Sequence, residues 1–166
     1  MSTSQDEPRP RGLIELEKAG VPHRLHRFEY RDKGGTAHSS ASLGWPEHSV
    51  IKSLVFLLPE GSPVLVLMNG DRKVDTKKLA RVLNRGSLRP APVDEVFALT
   101  GYLVGGVSPF GLPPTIKVYI NRSVIALTRL LINAGARGQL VEMAAADLVS
   151  HLRAEVVEVD RDKASV

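Results

Sequence analysis

Polar and apolar positions follow two different periods along this chain, and each change of period marks an element. Leu13, Ile14 and Leu16 suit one face of a short helix that Gly20 stops, and residues 23–30 read as a strand. The stretch 31–36 then turns on Gly34-Gly35. Residues 50–58 are almost wholly apolar and 64–68 form a second such run. Between them Pro59-Glu60-Gly61-Ser62-Pro63 has hairpin length, so the two strands should pair antiparallel. From Asp75 the period becomes helical: Leu79, Val82 and Leu83 share a face, Asp75 caps the start, and Asn84 with Gly86 ends it. Pro92 opens a further helix that carries Val93, Val96 and Phe97 as far as Gly101.

Beyond a glycine-rich loop over 105–111, a strand is expected over 115–121, then an apolar segment 124–132 whose pattern suits helix or strand equally. Residues 139–143 read as a strand, 145–152 as a helix and 155–159 as a closing strand. Short strands and helices interleave without any repeat of fixed period. The predicted fold class is therefore α+β, a mixed and mostly antiparallel sheet wrapped by helices. One unit is expected over 11–160, with an unstructured polar lead over 1–10 and a polar tail over 161–166.

Composition narrows the chemistry. With 166 residues, 43% of them hydrophobic, the chain can bury a core. The absence of cysteine excludes disulfides, thiolate nucleophiles and iron–sulfur clusters. The N-terminus has no secretory pattern and no apolar run reaches membrane-spanning length, so a cytoplasmic protein with no membrane partner is expected. A net charge of +4 permits a polyanionic partner and equally suits a plain basic surface.

The densest unusual segment is Thr100-Gly-Tyr-Leu-Val-Gly-Gly-Val-Ser-Pro-Phe-Gly-Leu-Pro-Pro114. Its glycines allow close backbone approach to a ligand and its prolines stiffen the path; a tight structural corner would use the same residues. Ser108 sits in a near-match to the G-x-S-x-G elbow, but that elbow needs an amide hydrogen on the next residue, and Pro109 has none. No Gly-Lys-Ser/Thr phosphate loop follows a strand. His23, His26, His38, His48 and His151 are scattered, with no metal-ligand spacing, so neither metal nor other cofactor is expected. Lys52, by contrast, interrupts the apolar run Ile51-Lys-Ser-Leu-Val-Phe-Leu-Leu58. It is either an edge-strand guard against aggregation or a cationic anchor for a carbonyl, carboxylate or phosphate.

Four ordered blocks join these features. They are Ile51-Lys52-Ser53-Leu54-Val55-Phe56, then Gly70-Asp71-Arg72-Lys73-Val74-Asp75 leading into Lys77-Lys78-Leu79, then residues 100–109, then Arg137-Gly138 with Glu142 and residues 145–148. Together they resemble the YbaK/ProX family of aminoacyl-tRNA deacylases, related to the insertion domain of bacterial prolyl-tRNA synthetases. The resemblance implies a mixed sheet curled toward a barrel, with helices outside. It implies hydrolysis of the ester in mischarged tRNA, tRNA(Pro) carrying Cys, Ala, Ser or Thr, without a metal and with prolyl-tRNA synthetase as an associated partner.

Lys52 matches the family's essential lysine, and residues 105–109 match its G-x-x-x-P loop. On this reading Lys52 is an anchor, the amides of Gly105 and Gly106 contact the ester carbonyl, and Phe28, Val107, Ser108, Pro109, Gly111, Arg137 and Gly138 bound the amino-acid pocket. Lys77, Lys78 and Arg81 are expected phosphate contacts, with a solvated helix face as the plain alternative. The cysteine-specific branch of the family carries Tyr where this chain has Phe28 and Asp near Leu140, whereas Ser108 matches that branch. A non-catalytic module that binds the tRNA acceptor end or a synthetase would use the same surface.

Overall fold

The computed structural model describes residues 9–162, so most of the expected lead and tail lies outside the described residues. Among these residues eight strands form a single sheet: β1 (Arg24–Arg27), β2 (Val50–Leu57), β3 (Pro63–Asn69), β4 (Arg89–Pro90), β5 (Lys117–Asn121), β6 (Arg129–Asn133), β7 (Gln139–Ala144) and β8 (Glu155–Val157). The order is β1-β7-β6-β2-β3-β5-β8, with β4 pairing β2 from outside that path. The ladders β1–β7, β6–β7, β2–β3 and β2–β4 are antiparallel, while β2–β6, β3–β5 and β5–β8 are parallel. The sheet is thus mixed, and its hydrogen-bonded path is open, with β1 and β8 at its ends.

Among the described residues six α-helices accompany it: α1 (Arg11–Lys18), α2 (Gly35–Leu43), α3 (Thr76–Leu83), α4 (Val93–Thr100), α5 (Arg122–Ile125) and α6 (Ala145–Leu152). Helix α3 forms where its caps predict. The Asp75 carboxylate accepts from the backbone N–H of Lys77 (3.0 Å) and Lys78 (3.1 Å), and Asn84 leaves the helix in the left-handed region at φ 53°. Helix α4 starts after Pro92 and stops at Gly101, at φ 82°.

Two local expectations change. The turn expected over 31–36 instead runs into α2, a helix of small and polar residues whose buried positions are Ser39 and Ser40. Such a helix has no apolar stripe for a periodicity argument to find. The ambiguous segment 124–132 divides, its first part belonging to α5 and its last to β6.

Alternation in β3 shows where the core lies. Leu65 and Leu67 enter the larger cluster, which α1, α4, α5 and α6 complete through Leu13, Leu16, Val96, Val124 and Leu148. Val64, Val66 and Met68 enter a second cluster, closed by Leu79 and Ala80 of α3. With both faces covered, each such side chain contributes about 1.5–3 kcal/mol of burial. Val50, Leu131 and Leu140 make a third, small cluster against Phe28, Leu43 and Trp45.

The feature that positions the site is an interruption beside β2. One edge of β2 pairs with β3 from Ile51 to Leu57. Its other edge meets β6 only at Val50 and Ile51, and β4 only at Phe56 and Leu57. Between these contacts lies a notch, closed at one end by the Ala91 N–H donating to Val55 O (2.9 Å). Strand alternation turns the main-chain groups of Ser53 toward this notch.

Candidate active site

A cleft of about 830 Å³ occupies the notch and is lined along β2 from Val50 to Phe56. Lys52 shares a face of β2 with Val50, Leu54 and Phe56, half-buried between the second and third clusters. It does not guard an outer edge, because β2 lies in the middle of the sheet. Its Nζ donates to Gly70 O (3.3 Å). Burial holds its pKa below the ordinary lysine value; Glu47 and Asp71 oppose that shift, and Lys73 adds to it.

The acceptor of that bond is itself fixed. A Cβ on Gly70 would lie 2.6 Å from Thr36 Oγ1 and 2.8 Å from Glu47 O, so only glycine lets α2 approach this closely. Thr36 Oγ1 donates to Glu47 Oε1 (2.9 Å) and lies 3.3 Å from Gly70 O.

The glycine-rich loop reaches the cleft through Val104, Gly105 and Val107. Gly105 has φ 89°, and a Cβ there would lie 2.8 Å from both Cε2 and Oη of Tyr30, another cleft residue. Asn133 ties the loop to its neighbour. Its Nδ2 donates to Gly105 O (3.1 Å) and Ala136 O (3.0 Å), while its Oδ1 accepts from the N–H groups of Gly135 (2.6 Å) and Ala136 (3.0 Å). Arg137 supports the same region from outside, with Nε donating to Val104 O (2.9 Å) and its guanidinium 4.9 Å from the centre of the Tyr30 ring.

Of the residues expected at the site, Lys52, Phe28, Gly105 and Val107 line the cleft and the others do not. Gly106 is buried and its N–H donates to Leu103 O (2.8 Å), so its amide is committed within the loop rather than offered to a carbonyl. Ser108 is 0% exposed, with Oγ accepting the Phe110 N–H (3.1 Å); it and Pro109 face the protein interior instead of a substrate. Gly111 joins the loop to α1, its N–H donating to Glu15 Oε1 (3.1 Å) and its carbonyl accepting from Arg11 Nη1 (3.3 Å). Gly138 O accepts the Phe28 N–H (3.0 Å), and Arg137 acts through Val104 and Tyr30; both are supports.

The α3 cations are also displaced from expectation. Lys78 Nζ is bound to Asp160 O (3.0 Å) and Asp162 Oδ1 (2.9 Å), which raises its pKa, and Lys77 and Arg81 are exposed; none of the three lines the cleft.

Sequence reasoning missed Tyr30, Ser53 and Asn133, together with the cleft cations Arg31, Lys33, Lys73 and Arg161. Asn133 had a signal, a lone amide closing the apolar run Leu130-Leu131-Ile132. Ser53 had only its place beside Lys52; its Oγ is buried and has no hydrogen-bond partner among the described residues. The histidines are engaged separately, His23 on Val21 O, His26 on Glu142, His38 on Glu29 O, His48 on Asp71 and His151 on Glu15. Among the described residues no helix is long and apolar enough to cross a membrane.

A family model described as the aminoacyl-tRNA editing domain matches residues 34–150, which include the β2 lysine, the glycine-rich loop and Asn133. EbsC of Enterococcus faecalis, a candidate Cys-tRNA(Pro)/Cys-tRNA(Cys) deacylase, is 25% identical over 96% of this chain and 98% of its own length. Proline–tRNA ligase of Aquifex aeolicus is 32% identical over 70% of this chain, which corresponds to only 19% of the ligase. The crystal structure of the protein APE2540 superposes with a TM-score of 0.83 at 28% identity, covering 90% of this chain and 99% of the other. The fold is shared as well with a candidate trans-editing enzyme for prolyl tRNA synthetase, at a TM-score of 0.81 and 22% identity, over 94% of this chain and all of that one.

Proposed function

Because the chain belongs to the aminoacyl-tRNA editing domain family, related to the editing domain of prolyl-tRNA synthetases, we propose that it is a trans-editing deacylase that hydrolyses the ester of mischarged tRNA. The substrate on this reading is tRNA(Pro) bearing a small wrong amino acid: Cys, Ala, Ser or Thr. The observation that carries the proposal is Lys52, a half-buried cation held by Gly70 O in an otherwise largely apolar cleft that also contains the Gly105 loop.

An aminoacyl ester is already reactive, so positioning and charge stabilisation supply most of what hydrolysis needs. Lys52 holds the terminal nucleotide or the ester region, its Nζ directed by Gly70 O, which Thr36, bonded to Glu47, holds in place. The attacking group is water, which the neighbouring ribose hydroxyl orients; its oxygen bonds the carbonyl carbon, the bond to the ribose oxygen breaks, and a proton from the water passes to that oxygen. The Gly105 amide contacts the ester carbonyl, and the main-chain groups of Ser53, turned toward the notch, supply a further polar contact in the cleft wall. Phe28, Tyr30, Val107 and Leu140 bound the side-chain pocket and exclude larger amino acids. Such a sieve is useful because a synthetase separates small apolar side chains poorly on binding alone. Similarity to the Cys-tRNA deacylase candidate and to prolyl-tRNA ligases supports the choice of substrate class.

The test is incubation of the purified protein with tRNA(Pro) charged separately with Cys, Ala, Ser, Thr and Pro, following loss of each ester. Accelerated loss of at least one small noncognate ester, with Pro-tRNA spared, is the expected outcome. If every ester decays at its uncatalysed rate while the tRNA still binds, the protein is a binding module and not a deacylase.

A further inference from the structure

Four exposed cations reach the cleft besides Lys52, and they come from three segments of the chain. Arg31 and Lys33 precede α2; Lys73 and Arg161 are joined through their backbones, the Arg161 N–H donating to Lys73 O (2.9 Å). One acid, Asp32, accompanies them in the lining. Among the described residues none of the four forms an ion pair, whereas Arg72 and Lys78, close to them in sequence, are bound to Asp160 and Asp162. Lys73 is near enough to Lys52 to weaken proton binding there. Asp32, and Asp75 near Arg161, offset only part of this charge; the remaining excess of like charge at one opening disfavours the empty protein and favours an anion.

A different element contributes apolar surface to the same opening. Val93 and Val96 of α4 line the cleft with Val104 of the following loop. Val93 is 73% exposed, and Phe97, one turn further along the same helical face, is 60% exposed. Asp94 and Glu95 stand in the first turn of α4 and repel phosphate from that helix. A ligand suited to this mouth keeps its charges on the Arg31, Lys33, Lys73 and Arg161 side and offers a flat apolar face to α4. Single-stranded RNA has this division, phosphates along its backbone and bases free to stack.

We propose that the mouth of the cleft binds the nucleotides preceding the esterified adenosine of an RNA 3′ end, with phosphates on Arg31, Lys33, Lys73 and Arg161 and a base face on Val93 and Phe97. The identity of the strand rests on the deacylase reading; its binding does not require turnover. The expected α3 contacts, Lys77, Lys78 and Arg81, are thereby replaced.

The experiment measures binding of a fluorescent RNA pentamer ending in CCA to the full chain by anisotropy, across a salt series, with deacylation of mischarged tRNA measured alongside. The variants are Lys73→Ala/Arg161→Ala, Arg31→Ala/Lys33→Ala and Phe97→Ala, with Arg24→Ala/Arg27→Ala on β1 as an equal change of charge elsewhere. Each cleft double variant should weaken binding roughly tenfold and make the slope of log Kd against log salt shallower, by about 0.7 for each lost phosphate contact. Phe97→Ala should weaken binding about tenfold and leave the slope unchanged, the mark of lost stacking. Should an alanine double variant melt well below wild type, the corresponding Gln double variant takes its place.

Wild-type affinity in any of the three cleft variants, equal weakening in the β1 control, or no binding of the pentamer by wild type overturns the proposal. This binding pattern without hydrolysis of any ester upholds the RNA site and refutes the deacylase reading; hydrolysis with binding untouched by the variants does the reverse.

Discussion

Replacing Asn133 with Ala removes four hydrogen bonds at once, two donated by Nδ2 to Gly105 O and Ala136 O and two accepted by Oδ1 from Gly135 and Ala136. A net intramolecular hydrogen bond is worth about 1 kcal/mol, and an orphaned buried partner costs more. Gly105 is exposed and Gly135 and Ala136 are half-exposed, so some orphaned groups can bind water. The expected loss is therefore about 2–3 kcal/mol rather than the larger sum for a sealed site. For a chain of this length that lowers Tm by roughly 4–12 °C, measured by circular dichroism. Turnover should fall further than stability explains, because the released loop carries Gly105 away from its position in the cleft. Asn133→Asp separates the two halves: the acceptor for Gly135 and Ala136 survives, but the bonds to Gly105 O and Ala136 O become repulsive contacts, so kcat should drop as in the Ala variant. A melting point within about 1 °C of wild type together with full deacylation would refute the claim that Asn133 holds the loop.

Burial lowers the Lys52 pKa, so between its folded pKa and the ordinary 10.5 the unfolded chain binds more protons, and stability rises with pH through that window. At neutral pH the protonated side chain works against folding; Lys52→Met should melt at or above wild type while losing about 10²-fold or more in deacylation, and retention of activity would remove Lys52 from the mechanism. Ser108→Ala strips the Phe110 N–H of its buried acceptor and should cost about 1–3 kcal/mol in urea unfolding with kcat largely kept; near-complete inactivation in a folded variant would restore a chemical role for the hydroxyl. Glu142 is held below its ordinary 4.5 by hydrogen bonds from His26 (2.9 Å) and Arg129 (2.7 Å), so its contribution is present above pH 4.5 and is lost as pH falls through its folded pKa. Glu142→Gln should therefore melt lower than wild type at neutral pH with the gap closing in acid, and a gap independent of pH would show that the carboxylate charge is not its source.

Much of the local structure was legible in residue order because the causes are local. Asp75 capping α3, Gly101 ending α4 and the five-residue link between β2 and β3 each act within a few positions of themselves. Helix α2 was not legible, since its stability comes from docking through Thr36, Ser39 and Ser40 and not from an apolar stripe. Lys52 and the glycine-rich loop were likewise visible as departures from their surroundings: a charge in an apolar run, and a concentration of glycine and proline. Their environment was not. That β2 lies centrally beside a gap between β6 and β4 depends on pairings with strands distant in sequence, and so does the meeting of Arg161 with Lys73. The direction of each loop residue was equally a tertiary matter: one residue's difference places Gly105 on the cleft and commits the Gly106 amide within the turn, and Ser108 points into the core. Sequence alone determined which residue types were out of keeping with a plain core. Tertiary structure decided which of them share a cavity, because that depends on long-range strand pairing and on backbone torsions that composition does not specify.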